Sequence, residues 1–185
     1  RTREIRYVMM GDVYRRLGKP AFDVLVGSAL ALVALPVIVL LALVSAFVFR
    51  AWPIFVQRRI GLRGQTFGFL KIRSMPVTVP DALDKHDLRN ISLPAWGRFI
   101  RRTHLDETPQ LLLVPLRRMS IVGPRPEMLE FADRYPDDFL EARLSVRPGC
   151  TGLWQVSCAL GGMIYEAPEY DLAYVANVTW RLDLW

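Results

Sequence analysis

Two carboxylates stand side by side at Asp106-Glu107, and Pro109 comes shortly after. A proline is tolerated in the first turn of a helix, where the amides have no intrahelical partner, so the pair reads as the start of a helix at Asp106. Such a start presents free N–H groups and the positive end of the helix dipole, and anions gather there. Adjacent helical side chains diverge by roughly 100°, so the pair cannot flank one glycosidic bond from opposite sides as glycosidase carboxylates do. It can divide labour instead: one carboxylate attacks phosphorus while the other holds a magnesium ion that bridges phosphates. An acidic pair before a helix is also an ordinary cap, and what raises this one above that is its company of Lys71, Arg73, Arg98, Arg101, Arg125 and Arg147. Guanidinium groups offer paired donors to phosphate, which suits a diphosphate substrate.

Turns supply the other candidate positions. Ser120-Ile121-Val122-Gly123-Pro124-Arg125-Pro126 reads as a short buried strand running into a rigid turn. Prolines on both sides of Arg125 fix that backbone and lower the entropy of presenting its side chain, although a purely structural turn has the same pattern. Arg147-Pro148-Gly149 and Gly152-Leu153-Trp154-Gln155 form a second glycine-containing turn ahead of a strand. His86 and His104 are isolated and carry no assigned role. Cys150 and Cys158 belong to no C-x-x-C pair, which argues against zinc and disulfides and fits a reducing cytoplasmic setting.

The elements that must position these groups emerge from local pattern. Residues 54–59 and 66–73 are short and rich in β-formers, with Gly61-Leu62-Arg63-Gly64 between them, so a hairpin is expected. Strand alternation then projects Lys71 and Arg73 from one face. Residues 75–92 are polar, contain prolines and lack a period, which suggests a loop able to act as a lid. Pro94 suits a helix start, and Arg98, Arg101 and Arg102 come after it at spacings that share a face. Helices are also expected over 126–134 and 137–144. Tyr170, Tyr174, Trp180 and Trp185 among aliphatics suggest a surface resting on lipid, or a piece of core.

Hydrophobic residues make up 52% of the 185, and they concentrate near the start. No charged side chain occurs over residues 24–49, and those 26 residues at about 1.5 Å each reach roughly 39 Å, more than a hydrocarbon core of about 30 Å. Pro36 stands near the middle, where it would kink or break the helix. Basic residues flank both ends, Arg15, Arg16 and Lys19 before and Arg50, Arg58, Arg59 and Arg63 after, which favours both ends on the cytoplasmic side. We therefore expect a helix that enters, bends at Pro36 and returns to the same leaflet, with a plain kinked span as the alternative. The start at Arg1 leads us to expect further residues upstream. A net charge of +6 suits a polyanionic partner. No nucleic-acid motif or interleaved basic-aromatic run is present, so nucleic acid is not expected among the partners.

Together these segments resemble the bacterial sugar transferases, the monotopic phosphoglycosyl transferases that begin lipid-linked glycan assembly. The likeness runs roughly over residues 19–184. It rests on Pro53-Ile54-Phe55-Val56-Gln57 through Arg59 and Gly61, Lys71-Ile72-Arg73-Ser74-Met75, and Leu105-Asp106-Glu107-Thr108-Pro109-Gln110. Met119 through Pro126, Arg147-Pro148-Gly149-Cys150-Thr151-Gly152 with Gln155, and Tyr174-Val175 with Asn177, Thr179 and Asp183 complete it. The resemblance implies that Asp106 is the nucleophile, attacking the β-phosphate of a UDP-sugar to give an aspartyl phosphosugar and UMP. Polyprenyl (undecaprenyl) phosphate would then take the phosphosugar. It also implies that Glu107 helps bind Mg²⁺, that the Arg125 turn lines the site and that the broken helix re-enters the membrane. Exopolysaccharide, capsule, O-antigen or glycoprotein assembly at the cytoplasmic face of the bacterial inner membrane would be the setting.

The chain also departs from the family's pattern. The helix break is Leu35-Pro36 where Ser-Pro is usual, and the basic pair before Asp23 is reduced to Lys19 with Pro20 after it. Leu113 stands for an Asn, Arg117-Arg118 for a Gly-acidic pair, and Ser157-Cys158-Ala159 for Asn-Gly-Arg, which removes a cation. These changes motivate an alternative, a catalytically silent membrane-bound scaffold of a glycan-assembly complex. The expected architecture is a small membrane-associated α/β domain with a short antiparallel sheet, amphipathic surface helices and the broken N-terminal helix. The expected divisions are a basic segment over 1–23, the membrane helix over 24–49 and a catalytic domain over 50–185. UDP-sugar, polyprenyl phosphate and membrane lipid are the expected partners, with self-association left open.

Overall fold

A computed structural model describes residues 13–80, 92–157 and 164–184. A π-helical turn at Tyr14–Gly18 leads into α1, Lys19–Phe49, with Pro20 in its first turn, where a missing N–H does no harm. The helix ends at Arg50 in a left-handed conformation. Lys19, Asp23, Gly27, Ala31, Ile38, Leu41 and Ser45 are buried, at spacings that keep one face against the rest of the chain from end to end. The opposite face is bare: Val33 is 76% and Phe47 85% exposed, and Leu25, Leu32, Leu40 and Leu43 are exposed beside them. The stretch Tyr14–Phe49 is long and apolar enough to cross a membrane by length and composition. Pro36 does not interrupt it as expected. It lies within a helical run that continues on both sides, so the helix does not end there, and an internal proline, which removes one donor, is a place where a helix bends.

The expected hairpin forms as β1, Ile54–Ile60, and β2, Thr66–Ile72, with Phe55 opposite Lys71 and Arg59 opposite Phe67. A two-residue strand, β4 (Glu127–Met128), adds to the free edge of β1, giving an antiparallel order β2-β1-β4. A second, parallel pair joins β3, Ser120–Val122, to β5, Gly149–Thr151, and was not expected. The strand therefore lies inside the turn containing Gly149, and the chain continues from it into the short helix Leu153–Val156. The helix expected from Asp106 is a run of 3₁₀ turns, Leu105–Leu113, and Leu129–Arg134 is 3₁₀ as well, preceded by β4. Pro109 removes an α-type donor in the first run, and tighter turns accommodate that. The remaining expected helices form as α2, Ala95–Arg102, and α3, Asp137–Leu144, both close to expectation.

Ile38 and Leu41 of α1 pack on Ile72 of β2 and Ile100 of α2 in one buried cluster, each side chain contributing about 1.5–3 kcal/mol on transfer from water. Phe67 and Phe69 of β2 pack on Leu113, Val114 and Met119. Gly27 lets α1 touch that second cluster, since a Cβ there would lie 2.4 Å from Val114 Cγ1. The C-terminal part forms two helices, Pro168–Ala176 and Trp180–Leu184. Tyr174 is core and Trp180 half exposed; Trp185 lies outside the described residues. So do residues 81–91 of the expected lid, with His86, and Cys158-Ala159.

Candidate active site

Asp106 and Glu107 open the first 3₁₀ turn, behind His104 in a left-handed conformation. That turn packs under β2, which brings Lys71 to the acidic pair: its Nζ donates to Glu107 Oε1 at 2.8 Å. Arg125 arrives from the other side, with its two terminal nitrogens on Oε1 at 2.6 Å and Oε2 at 3.0 Å. Glu107 is thus gripped by two cations while Asp106, 4% exposed, stays beside them with Lys71, Arg101 and His104 as its charged surroundings.

The Arg125 turn is held by backbone contact. Gly149 N donates to Pro124 O and Gly123 N to Thr151 O, both at 2.9 Å. A Cβ on Gly123 would sit 2.4 Å from Arg147 O, so the two turns meet at a distance only glycine permits. Two buried arginines then clamp the carbonyls around Arg125. Arg59 donates to Pro126 O at 3.0 Å, and Arg143 donates to Arg125 O while pairing with Asp171 at 2.8 Å. Neither Arg59 nor Arg143 was assigned a site role from sequence. Strand alternation could have found Arg59, because Gln57 and Arg59 share a face of β1 and hydrogen-bond at 2.7 Å.

These contacts set the charge states. Burial acts to raise the Glu107 carboxyl, but Arg125 and Lys71 outweigh it and hold it well below the usual glutamate value. Burial lowers Lys71 despite the neighbouring Glu107, whereas Glu107 overcomes burial at Arg125 and raises it. Asp106 is raised, chiefly by burial and further by Glu107, with Lys71 and Arg101 opposing. Burial pushes the Cys150 thiol up to about 12, which leaves it inert as a nucleophile.

A cavity of about 100 Å³ abuts this cluster, lined by Lys71, Arg73, Arg101, Arg59 and Gln57 among others. Arg73 forms its outer wall, donating to Trp52 O at 2.8 Å and lying over the Phe55 ring. Met75 and Val79 line it too, so the start of the expected lid borders the site. Three predicted residues fall outside it. Arg98 is exposed and turned onto Leu93 O. Gln155 donates to Cys150 O at 3.0 Å, with its Oε1 buried and lacking a donor among the described residues. Arg147 faces another flank, donating to Arg117 O at 3.0 Å. Gln110, 2% exposed and one turn beyond Asp106, was not singled out; its Nε2 lacks an acceptor among the described residues.

For a metal, no group of three or more His, Cys, Asp or Glu side chains gathers among the described residues. Magnesium is commonly held by one or two carboxylates together with water and substrate phosphates, so an adjacent acidic pair is an adequate donor set. Glu107 Oε1 already accepts from Lys71 and Arg125, while Oε2 accepts once and keeps a lone pair.

Residues 14–185 match the family model described as bacterial sugar transferase. An "Uncharacterized sugar transferase" of Haemophilus influenzae is 36% identical over 90% of this chain and 38% of its own length. The "Undecaprenyl-phosphate galactose phosphotransferase" of Salmonella typhimurium is 38% identical over 71% of this chain and 31% of its own. The "Exopolysaccharide production protein ExoY" of Sinorhizobium fredii is 35% identical over 91% of this chain and 81% of its own. The chain thus spans about a third of the length of the first two relatives and most of the third.

Proposed function

Because this chain belongs to the bacterial sugar transferase family, we propose that it moves a sugar-1-phosphate from a UDP-sugar onto undecaprenyl phosphate, in two displacements at Asp106. The observation that carries this reading is the asymmetry of the acidic pair. Glu107 is locked as an anion between Lys71 and Arg125, while Asp106 lies buried next to those cations with a raised pKa. A carboxylate drawn out of water is a stronger nucleophile, and Lys71 and Arg101 oppose the rise that burial imposes on it.

In the first displacement an Asp106 oxygen attacks the β-phosphorus of the donor. The bond from that phosphorus to the bridging oxygen breaks, and UMP departs with the electron pair. In the second, a phosphate oxygen of the lipid attacks the same phosphorus and Asp106 leaves, restoring the carboxylate. Lys71, Arg101 and Arg59, on the cavity wall, offset the charge of the diphosphate, and Arg125 holds Glu107 in place. Magnesium fits at Glu107, with Asp106 adjacent, and when bound it would neutralise phosphate charge.

The membrane part of the reading rests on α1. Asp23 near one end accepts from Ser120 Oγ at 2.7 Å, and Ser45 near the other accepts from Trp96 Nε1 at 2.8 Å, so both ends touch one domain. A helix crossing a bilayer would leave one end on the far side. This favours re-entry into one leaflet, with the site at the cytoplasmic surface of the inner membrane where nucleotide sugars and lipid phosphate meet.

The test is incubation of the purified chain with a panel of UDP-sugars and Mg²⁺ in the absence of lipid. The expected result is release of no more than one equivalent of UMP and a protein mass increased by one phosphosugar. Asp106→Asn abolishes both, by a factor of about 10³ or more. A fully active Asp106→Asn protein refutes the proposal, and no UMP from any donor with any lipid phosphate favours the silent scaffold.

A further inference from the structure

A second cavity, of about 310 Å³, does not belong to the acidic pair. It lies at the N-terminal foot of α1, walled by Arg15, Arg16, Lys19 and Asp23 on the helix side and by Arg63 and Arg147 opposite. Among the described residues its charges do not balance. Lys19 is matched by Asp183 at 2.8 Å and more loosely by Asp23 at 3.7 Å. Asp23 is further occupied by Ser120 Oγ and Ile121 N. Among the described residues, none of Arg15, Arg16, Arg63 and Arg147 has a carboxylate within ion-pairing distance. Arg15 reaches only Ser145, at 3.3 Å, and Arg147 reaches the Arg117 carbonyl.

Guanidiniums without a carboxylate partner among the described residues, converging on a hollow, repel one another, and burial together with Arg117 lowers the Arg147 pKa against the pull of Asp23. Such a site is relieved by a group with several acceptor oxygens, and phosphate is the anion that matches guanidinium forks. Its place decides the source. The cavity borders Pro20 and Asp23, and the charge-free stretch begins at the next residue, Val24. A group seated there is level with the headgroups wherever α1 enters lipid.

We propose that this cavity is a second phosphate site, separate from the acidic pair, and that it takes the headgroup of an anionic glycerophospholipid. Two charge-assisted contacts removed by charge reversal at Arg16 and Arg63, both exposed, should weaken the site roughly tenfold or more.

The experiment titrates the full chain in neutral detergent with dioctanoyl phosphatidylglycerol, dioctanoyl phosphatidylcholine and glycerol phosphate, reading bound ligand by native mass spectrometry. Wild type and the charge-matched control R58E/R102E should bind phosphatidylglycerol alike, and R16E/R63E at least tenfold more weakly. Phosphatidylcholine should bind none of them comparably. Glycerol phosphate binding as tightly as the lipid, and lost in R16E/R63E, keeps the phosphate site but makes its ligand soluble. Equal losses in the two double variants would overturn the site as mere surface charge, and so would undiminished binding by R16E/R63E. The readout is ligand mass, so it stands or falls apart from UMP release.

Discussion

Replacing Glu107 by glutamine removes a charge and almost no volume, so it isolates the electrostatic role of that side chain. In the native protein Lys71 donates to one carboxylate oxygen at 2.8 Å, and Arg125 donates to both at 2.6 and 3.0 Å. Glutamine has one acceptor oxygen and a donor amide that would face a guanidinium, so at least one cation loses its partner. Breaking a buried ion pair from one side costs about 3–5 kcal/mol. The side chains of Lys71, Glu107 and Arg125 retain 17, 16 and 24% exposure, which places the expectation near the lower limit, at about 3 kcal/mol. For a domain of this size that is a fall in Tm of about 6–12 °C.

The pH dependence gives a second handle. The folded carboxyl titrates below its ordinary 4.5, so its contribution is fully present above that value and is lost as pH falls towards the folded value. Thermal unfolding of both proteins in detergent, at neutral pH and again well below pH 4.5, is the assay. The gap in Tm should be large at neutral pH and close in acid. Equal midpoints at neutral pH, or a gap that acid leaves unchanged, would refute the argument.

The neighbouring carboxylate should respond with the opposite sign: burial raises Asp106, so Asp106→Asn should increase the neutral-pH Tm while abolishing UMP release, as paired unfolding and activity measurements would register. Lys71 holds the Asp106 pKa down, so Lys71→Met should move the acidic limb of the UMP-release pH profile upward; an unmoved limb would place Lys71 outside the nucleophile's field. Arg117 is exposed and left-handed at φ 56°, a conformation that costs a non-glycine residue about 1–2 kcal/mol, so Arg117→Gly should raise Tm by about 2–8 °C in calorimetry. Single cysteines at exposed Arg16 and Arg50, with the native cysteines replaced, should label from the same side of sealed vesicles; labelling from opposite sides would exclude re-entry.

Local features were the ones open to reading from residues alone. The hairpin was visible because its alternation and its glycine turn are local signals, and the structure moves its limits by one residue at each strand's far end. The gathering of Lys71 and Arg125 at Glu107 was foreshadowed by residue type, since buried carboxylates need cations. What escaped was non-local. The parallel β3-β5 pair is three residues to a strand and too short for any period, and it unites segments that only the tertiary fold brings together. Arg143 sits in a helix pattern identical to that of a surface charge, and nothing local reveals Asp171, 28 positions on, as its partner. Arg147 was grouped with the arginines around the acidic pair, and a turn does not announce that it faces another flank. The 3₁₀ form of the acidic segment turned on Pro109 and on His104 adopting a left-handed backbone, both outside hydrophobic pattern.

The foot of α1 is tied down by Lys19 and Tyr14 on Asp183, at 2.8 and 2.6 Å, and Asp183 in turn accepts from Tyr174. Lys19 and Asp183 are 164 positions apart, so α1 cannot be latched until the ribosome has made the segment that carries Asp183. Until then the Lys19 ammonium at the edge of the apolar segment lacks its main counter-charge. A truncation that removes Asp183 would therefore unfasten the foot of α1, 164 positions away, and not only the segment it deletes.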